Sequence, residues 1–294
     1  MKYAWIKEYR DSYSITAMCM VLQVSKSGFY RWLTASPSPR AQRTASIQAS
    51  VKEAFEQSNS IYGSYKIAEK LQNEEHLESA CRNTVAKAMK DLGLKSRVSS
   101  KFKPTTTVSD PDKKPAPNIL AQDFKATAPN QKWVADITYL PTHGGWVYLA
   151  VLIDLFSRKI VGWNMSDQLT TPLVTGALRN ALETRRPETR ELIHHSDRGC
   201  QYTSDAFQQI LQTTNITCSM SRTGCCYDNA AMERFFWSLK HEWTNHAQFA
   251  DLEEARLSVF KYIETFYNPV RLHQTLGYMS PNLFEAEHAP AQAA

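Results

Sequence analysis

The order of hydrophobic patterns after residue 130 narrows the fold most: three strand patterns come first, then helix and strand patterns alternate. Gln131 to Leu140 is rich in β-branched and aromatic residues and reads as a strand. A second strand, Gly145 to Asp154, follows the turn at His143-Gly144, and Lys159 to Met165 pairs with it as a hairpin partner through Leu155-Phe156-Ser157-Arg158. Pro172 starts a helix whose Leu173, Val174, Ala177, Leu178, Ala181 and Leu182 face the core. Leu192 to Asp197 is again a strand, Phe207, Ile210 and Leu211 mark a short helix, and Thr217 to Ser221 is a further strand. This succession places residues 131–285 in the α/β class.

Within that frame three acids stand out. Asp136 lies inside the first strand, which should be central, and a carboxylate there is costly unless something pairs with it. Asp197 closes its strand just before the turn signal Arg198-Gly199. Glu233 comes after 35 intervening residues and opens a helix in which Met232, Phe235, Phe236, Leu239 and Trp243 form a buried stripe. Glu233, Trp237 and Lys240 fall on a different face, and the seven-residue step stacks Lys240 two turns above Glu233.

Taken singly, each of these is an ordinary surface acid. Together they supply oxygen donors without Cys or His, which suits hard Mg²⁺, with Mn²⁺ as a substitute. Two such ions about 3.5–4 Å apart activate an attacking oxygen and stabilise the leaving 3′ oxygen of an in-line displacement. Lys240 is then placed to hold adjacent phosphates. Asp154, ending a strand beside Asp136, reads as a turn residue or a support for the site, and Asp228 as a helix cap or loop anchor.

Charge is unevenly distributed. Residues 1–130 hold 20 Lys and Arg against 12 Asp and Glu, whereas residues 131–294 hold 14 against 17. The front part therefore carries the footprint of a polyanion binder. In residues 1–40, Ser14 to Leu33 reads as helix, turn, helix, with Ser25 capping the second helix and Pro37 and Pro39 closing the unit. Lys26, Ser27, Tyr30 and Arg31 face outward and suit phosphate contacts and groove entry. Residues 41–95 form a second helical unit that suits either DNA or protein contacts, with Asn83 capping its last helix and Gly93 stopping it. Residues 96–130, with five prolines beside Lys101, Lys103, Lys113 and Lys114, read as a basic extended linker that is either a passive tether or a strap tracking DNA.

Several classes are excluded. The six cysteines show no C-x-x-C spacing, so neither a zinc site nor a disulfide framework is signalled, and Cys225-Cys226 are expected to be reduced in a loop. His194-His195 invites a metal assignment, but His194 on an alternating strand is expected to face the core. There is no nucleotide-binding G-x-x-x-x-G-K-[ST] loop, no signal peptide and no run of 18 apolar residues, so a cytoplasmic chain without a membrane partner is expected.

The segments Trp133 to Tyr139, Ile153 to Trp163, His195-Ser196-Asp197-Arg198-Gly199, Tyr227 to Glu233 and Tyr267 to Gly277 together resemble the catalytic open reading frame of bacterial insertion sequences of the insertion-sequence-three family. The likeness covers the whole chain and is strongest from Trp133 to Pro281. It implies a retroviral-integrase-like core, that is, a ribonuclease-H-like α/β catalytic domain preceded by all-α helix-turn-helix units. It also implies the acidic triad Asp136, Asp197 and Glu233, with Lys240 at the basic position of the same helix. Arg234-Phe235-Phe236-Trp237 departs from the pattern, since many relatives carry a small polar residue after the glutamate; only local DNA contacts are affected.

As activity the resemblance implies a transposase that nicks and joins double-stranded DNA at terminal inverted repeats and inserts into target DNA, through a circular intermediate. As partners it implies at least a dimer on paired ends and a companion upstream reading-frame product, on the bacterial nucleoid. In the tail, Arg271 and His273 either pack back on the catalytic helix or contact DNA. Two rival functions use the same residues: a non-catalytic DNA-binding regulator, and a structure-selective nuclease that cuts without joining.

Overall fold

The computed structural model describes residues 1–36, 38–73, 80–97, 115–222 and 226–288. Lys101, Lys103, Lys113 and Lys114 of the linker, Pro37 and Cys225 lie outside the described residues.

The chain opens with three short helices, α1 (Lys2–Glu8), α2 (Ile15–Val21) and α3 (Lys26–Thr34), packed on Ile6, Met18, Cys19 and Phe29. Ser25 caps α3, its hydroxyl accepting from the Gly28 amide at 2.8 Å. Helix α1 has no apolar stripe to announce it, because only Ile6 of its seven residues is buried. Pro39 does not close this unit. It begins the long α4 (Pro39–Gln57), where the missing proline amide costs nothing and Ser38 supplies the cap.

Helices α5 (Ser64–Asn73) and α6 (Arg82–Asp91) complete a three-helix unit with α4. The residue at the head of α6 is Cys81 rather than Asn83, because the helix starts earlier than its apolar pattern; its thiol lies 3.2 Å from the Thr84 hydroxyl. Gly93, at φ +68°, ends the helix as expected from a residue free to enter the left-handed region.

The second half of the chain holds a five-stranded sheet of order β3-β2-β1-β4-β5, with β1 (Lys132–Thr142), β2 (Gly145–Asp154), β3 (Ile160–Ser166), β4 (Ile193–Ser196) and β5 (Thr217–Met220). The first three strands are antiparallel neighbours; β4 joins β1 in parallel and β5 joins β4 in parallel. Strand alternation divides the core in two. Trp133, Ala135, Ala150 and Leu152 pack on α7 (Thr171–Arg185) and α8 (Asp205–Thr213). Val134 and Leu140 of β1 and Leu149, Val151 and Ile153 of β2 form the opposite layer, under α9 (Ala230–Glu242) and α10 (Leu252–Phe260).

Helix α10 continues into a wider π-helical stretch, Lys261–Tyr267, and the described chain ends in α11 (Pro281–His288). Asn268 follows the wide stretch, and its side chain acts as a strand would: Oδ1 accepts from the Ile160 amide at 2.9 Å and Nδ2 donates to the Ile160 carbonyl at 3.0 Å.

The helical unit and the sheet share one core. Tyr62 is the bridge, its hydroxyl accepting from the Leu272 amide at 2.9 Å and donating to the Val270 carbonyl at 3.2 Å. The described end of the linker is likewise packed rather than free. Leu120 is buried, the amides of Ile119 and Leu120 donate to Ser219 Oγ, and Asn118 and Gln122 donate to Asp228. Residues 115–130 are thus a strap across β5, which a reading of proline and lysine content alone does not disclose.

Candidate active site

Asp136 sits in the central strand, where period two puts it on the same face as Val134 and therefore beneath α9. Asp197 leaves the end of β4, whose His195 is paired in register with Val134 of β1. Glu233 lies in the first turn of α9 and is exposed. Two adjacent parallel strands and the helix crossing their face thus bring the three acids toward one place.

Their electrostatics reflect this approach. Asp136 is held well above the ordinary carboxylate range, first by loss of solvent and next by the charge of Asp197, with Glu233 adding to it. Lys240 opposes this shift, and its ammonium lies 4.8 Å over the Tyr139 ring. Loss of solvent also raises Glu233 and lowers Lys240, and Asp136 pulls Lys240 back up.

Two of the carboxylates are pinned by local backbone. The Ile137 amide donates to Asp136 Oδ1 at 2.8 Å, and the Gly199 amide donates to Asp197 Oδ1 at 3.0 Å, closing the turn that the Arg198-Gly199 signal marks. Among the described residues no three potential ligands stand close enough to grip one ion as they are. Glu233, exposed on its helix, makes no side-chain hydrogen bond or ion pair among the described residues. The donor set nevertheless fits a hard divalent cation: all oxygen, mutually repelling and balanced by one lysine.

His195 fixes the strand that delivers Asp197. Ser219 Oγ accepts from the Ile119 and Leu120 amides, so its single proton goes to His195 Nδ1 at 2.8 Å; Nε2 then carries the ring proton and donates to Ser221 Oγ at 3.0 Å. His194 faces the core against Phe207 and Tyr202, with neither ring nitrogen hydrogen-bonded among the described residues.

The structure places the remaining candidates unevenly. Lys26, Tyr30 and Arg31 are exposed on α3. Arg271 is not available to DNA: it is buried and clasps Glu242 of α9, so the tail packs back on the helix that carries Glu233. His273 is half-buried beside it and accepts from Arg271 Nη1 at 3.3 Å. Asp154 is not beside Asp136. It pairs in register with Trp133, whereas Asp136 faces Val151, and it anchors the Asn130 and Phe156 amides near Arg185. Asp228 is a loop anchor, fully buried and gripped by Arg222.

Tyr202 is a neighbour of the acids that sequence patterns do not single out. Its buried hydroxyl has no hydrogen-bond partner among the described residues, and burial first, then the charges of Asp136 and Asp197, raise it well above the ordinary phenol range. No local pattern marks it, since it lies in the turn between β4 and α8.

The chain matches the integrase core domain family over residues 126–226 and, in a second segment of that core, 214–281; residues 41–102 match an HTH-like domain. It is 42% identical over 293 residues to the transposase InsF for insertion sequence IS3A of Escherichia coli (strain K12), covering 97% of this chain and 98% of that protein. It is 40% identical to an uncharacterized 31 kDa protein of insertion element IS600 from Shigella sonnei, covering 92% and 98%. Among solved structures, a chain of the simian T-cell lymphotropic virus intasome aligns at a TM-score of 0.46 and 16% identity, over 77% of this chain and 76% of that one.

Proposed function

The chain belongs to the family of the insertion-sequence IS3 transposases, and from that premise we propose that it nicks DNA at the ends of an insertion sequence and transfers the freed 3′ end to another phosphodiester. The observation that carries the reading is the placement of Asp136 and Asp197 on and at the end of the adjacent parallel strands β1 and β4, with Glu233 in the first turn of the helix packed on β1.

In this reading the three carboxylates hold Mg²⁺, two ions in all, with Mn²⁺ as a substitute. When bound, the metal supplies Lewis-acid stabilisation of attacking and leaving oxygens. The protein's own share is positioning. Asp136 and Asp197 present fixed oxygens because backbone amides hold them, and Glu233 closes on the site from the helix. Lys240, beside Asp136, steadies a substrate phosphate, and the rigid sheet aligns attacker and leaving group for in-line displacement.

The substrates are double-stranded terminal inverted repeats and target DNA. Lys26, Tyr30 and Arg31 of α3 lie outward for backbone or groove contacts. A dimer or larger assembly on paired ends and a companion upstream reading-frame product complete the reading. Asp136→Asn, Asp197→Asn and Glu233→Gln should each abolish nicking and joining of an end-bearing duplex in Mg²⁺ while leaving its gel-shift titration intact. Nicking retained by any one of them removes that residue from the triad.

A further inference from the structure

On a different face of α9 from Glu233 lies a cavity of about 420 Å³ whose lining includes Arg234 and Ser238 of that helix, Lys66 of α5, Arg158 of the β2–β3 turn, and Arg271 and His273 of the tail. Lys66, Arg158, Arg234 and Arg271 therefore converge on one hollow from four separate segments of the chain. Glu242 is the acid that answers them, and both of its oxygens are taken by Arg271.

The other three cations form no ion pair among the described residues, although Glu242 acts on Lys66 and Asp154 on Arg158 at longer range. The side chains of Lys66, Arg158 and Arg234 make neither a hydrogen bond nor an ion pair there; Lys66 lies 5.0 Å over the Tyr62 ring and Arg234 4.5 Å over that of Trp237. Arg158 is moreover held at φ +60°, an uncommon conformation for a residue with a side chain. The crowding has a measurable consequence. Lys66 is pushed down to about 7, by loss of solvent first and then by Arg271, with Arg234 also contributing against the pull of Glu242. His273 is driven well below its ordinary range by burial and by the same cations, Arg271, Lys66, Arg158 and Arg234.

Such a cluster is costly to keep empty and gains most from an anion with several acceptor oxygens. Phe124, Ile153, Phe235 and Leu272 form an apolar stretch of the wall beside the cations, and Gln274 and Thr275 add polar groups. A compact oxyanion carrying an apolar or aromatic body matches both parts, and the volume suits a ligand of that size.

We propose that this cavity binds a phosphate ester, a nucleoside phosphate presented either as a free mononucleotide or within a DNA strand, with Arg158, Arg234 and Lys66 as ligands of the anion. The site stands apart from the triad, so its occupancy and the nicking reaction have separate readouts.

Calorimetric titration of the full-length chain in EDTA tests this, using inorganic phosphate, deoxyadenosine 5′-monophosphate and a short single-stranded oligonucleotide. Arg158→Gln and Lys66→Met are compared with the surface control Lys52→Gln, each checked for a cooperative melt. We expect one mononucleotide per chain, weaker binding of phosphate alone, and roughly tenfold or greater loss in both cavity variants but not in the control. Binding of the oligonucleotide alone, with the same loss, assigns the phosphate to a strand. If every ligand binds the folded cavity variants as it binds the unaltered chain, or none binds the latter, the proposal is overturned.

Discussion

Arg271 reaches across from the C-terminal tail to hold Glu242, about two and a half turns along the helix that carries Glu233, with Nε 2.7 Å from Oε2 and the second carboxylate oxygen engaged by Nη2. Ser238 and Tyr262 complete the arrangement, at 3.1 Å from Arg271 Nη2 and 2.8 Å from Glu242 Oε2. The tail thereby fixes the position of α9. Loss of solvent alone would raise Glu242, but Arg271 outweighs it and holds the carboxyl below its ordinary range.

Breaking one side of this pair strands a buried charge. Arg271→Ala should cost about 3–5 kcal/mol in urea denaturation, whereas the double change Arg271→Met with Glu242→Leu should recover much of that loss. If the double variant is no more stable than Arg271→Ala, the penalty comes from lost packing and not from the unpaired acid.

His194 sets a pH dependence. Burial lowers it to about 3 and His195 to about 4, from an ordinary 6.5, so the native state binds fewer protons than the unfolded one in that interval. Stability is therefore complete above 6.5 and is lost as pH falls through the interval. His194→Phe keeps a ring against Phe207 and removes one titrating group. Its advantage over the unaltered chain should grow as pH drops, reaching on the order of 2 kcal/mol at about pH 5. Parallel falls of the two melting temperatures between about pH 7 and pH 5 would show that His194 does not report on folding.

Gly162 is required by close approach and not by backbone freedom. A Cβ there would enter contact distance of the Ala177 carbonyl oxygen and stand 2.6 Å from Ala181 Cβ, so β3 lies directly against α7. Gly162→Ala should destabilise by about 1–3 kcal/mol, because backbone must move to make room. An unchanged denaturation midpoint would mean that the strand and helix separate at no cost.

The elements that form as their own patterns dictate are legible in the sequence: the β2–β3 hairpin, the helix begun at Pro172 and the stripe of Met232, Phe235, Phe236 and Leu239 all follow from local periodicity. The acids are legible as candidates because each sits at a recognisable point of its element. What stays hidden depends on partners distant in the chain. Arg271 looks like any cation until Glu242 is placed beside it, Tyr62 like any core aromatic until Leu272 is, and residues 115–130 look like a tether until Ser219 and Asp228 receive them.

Lys240 separates substrate chemistry from folding. It is half-buried over Tyr139 and next to Asp136, and it lies outside the buried stripe of its helix. Removing a cation from beside the carboxylates should strengthen their hold on Mg²⁺, since repulsion between like charges is relieved. In the proposed reaction the same change takes away a charge-assisted contact to phosphate, worth about 1.5–3 kcal/mol, or roughly a ten- to hundredfold loss in strand-transfer rate. Lys240→Ala should thus leave the melting temperature nearly unaltered, lower the Mg²⁺ concentration for half-maximal activity and slow joining at saturating metal. A large drop in melting temperature with normal joining would instead make Lys240 a structural residue, and a higher Mg²⁺ requirement would place it among the groups that support the metal.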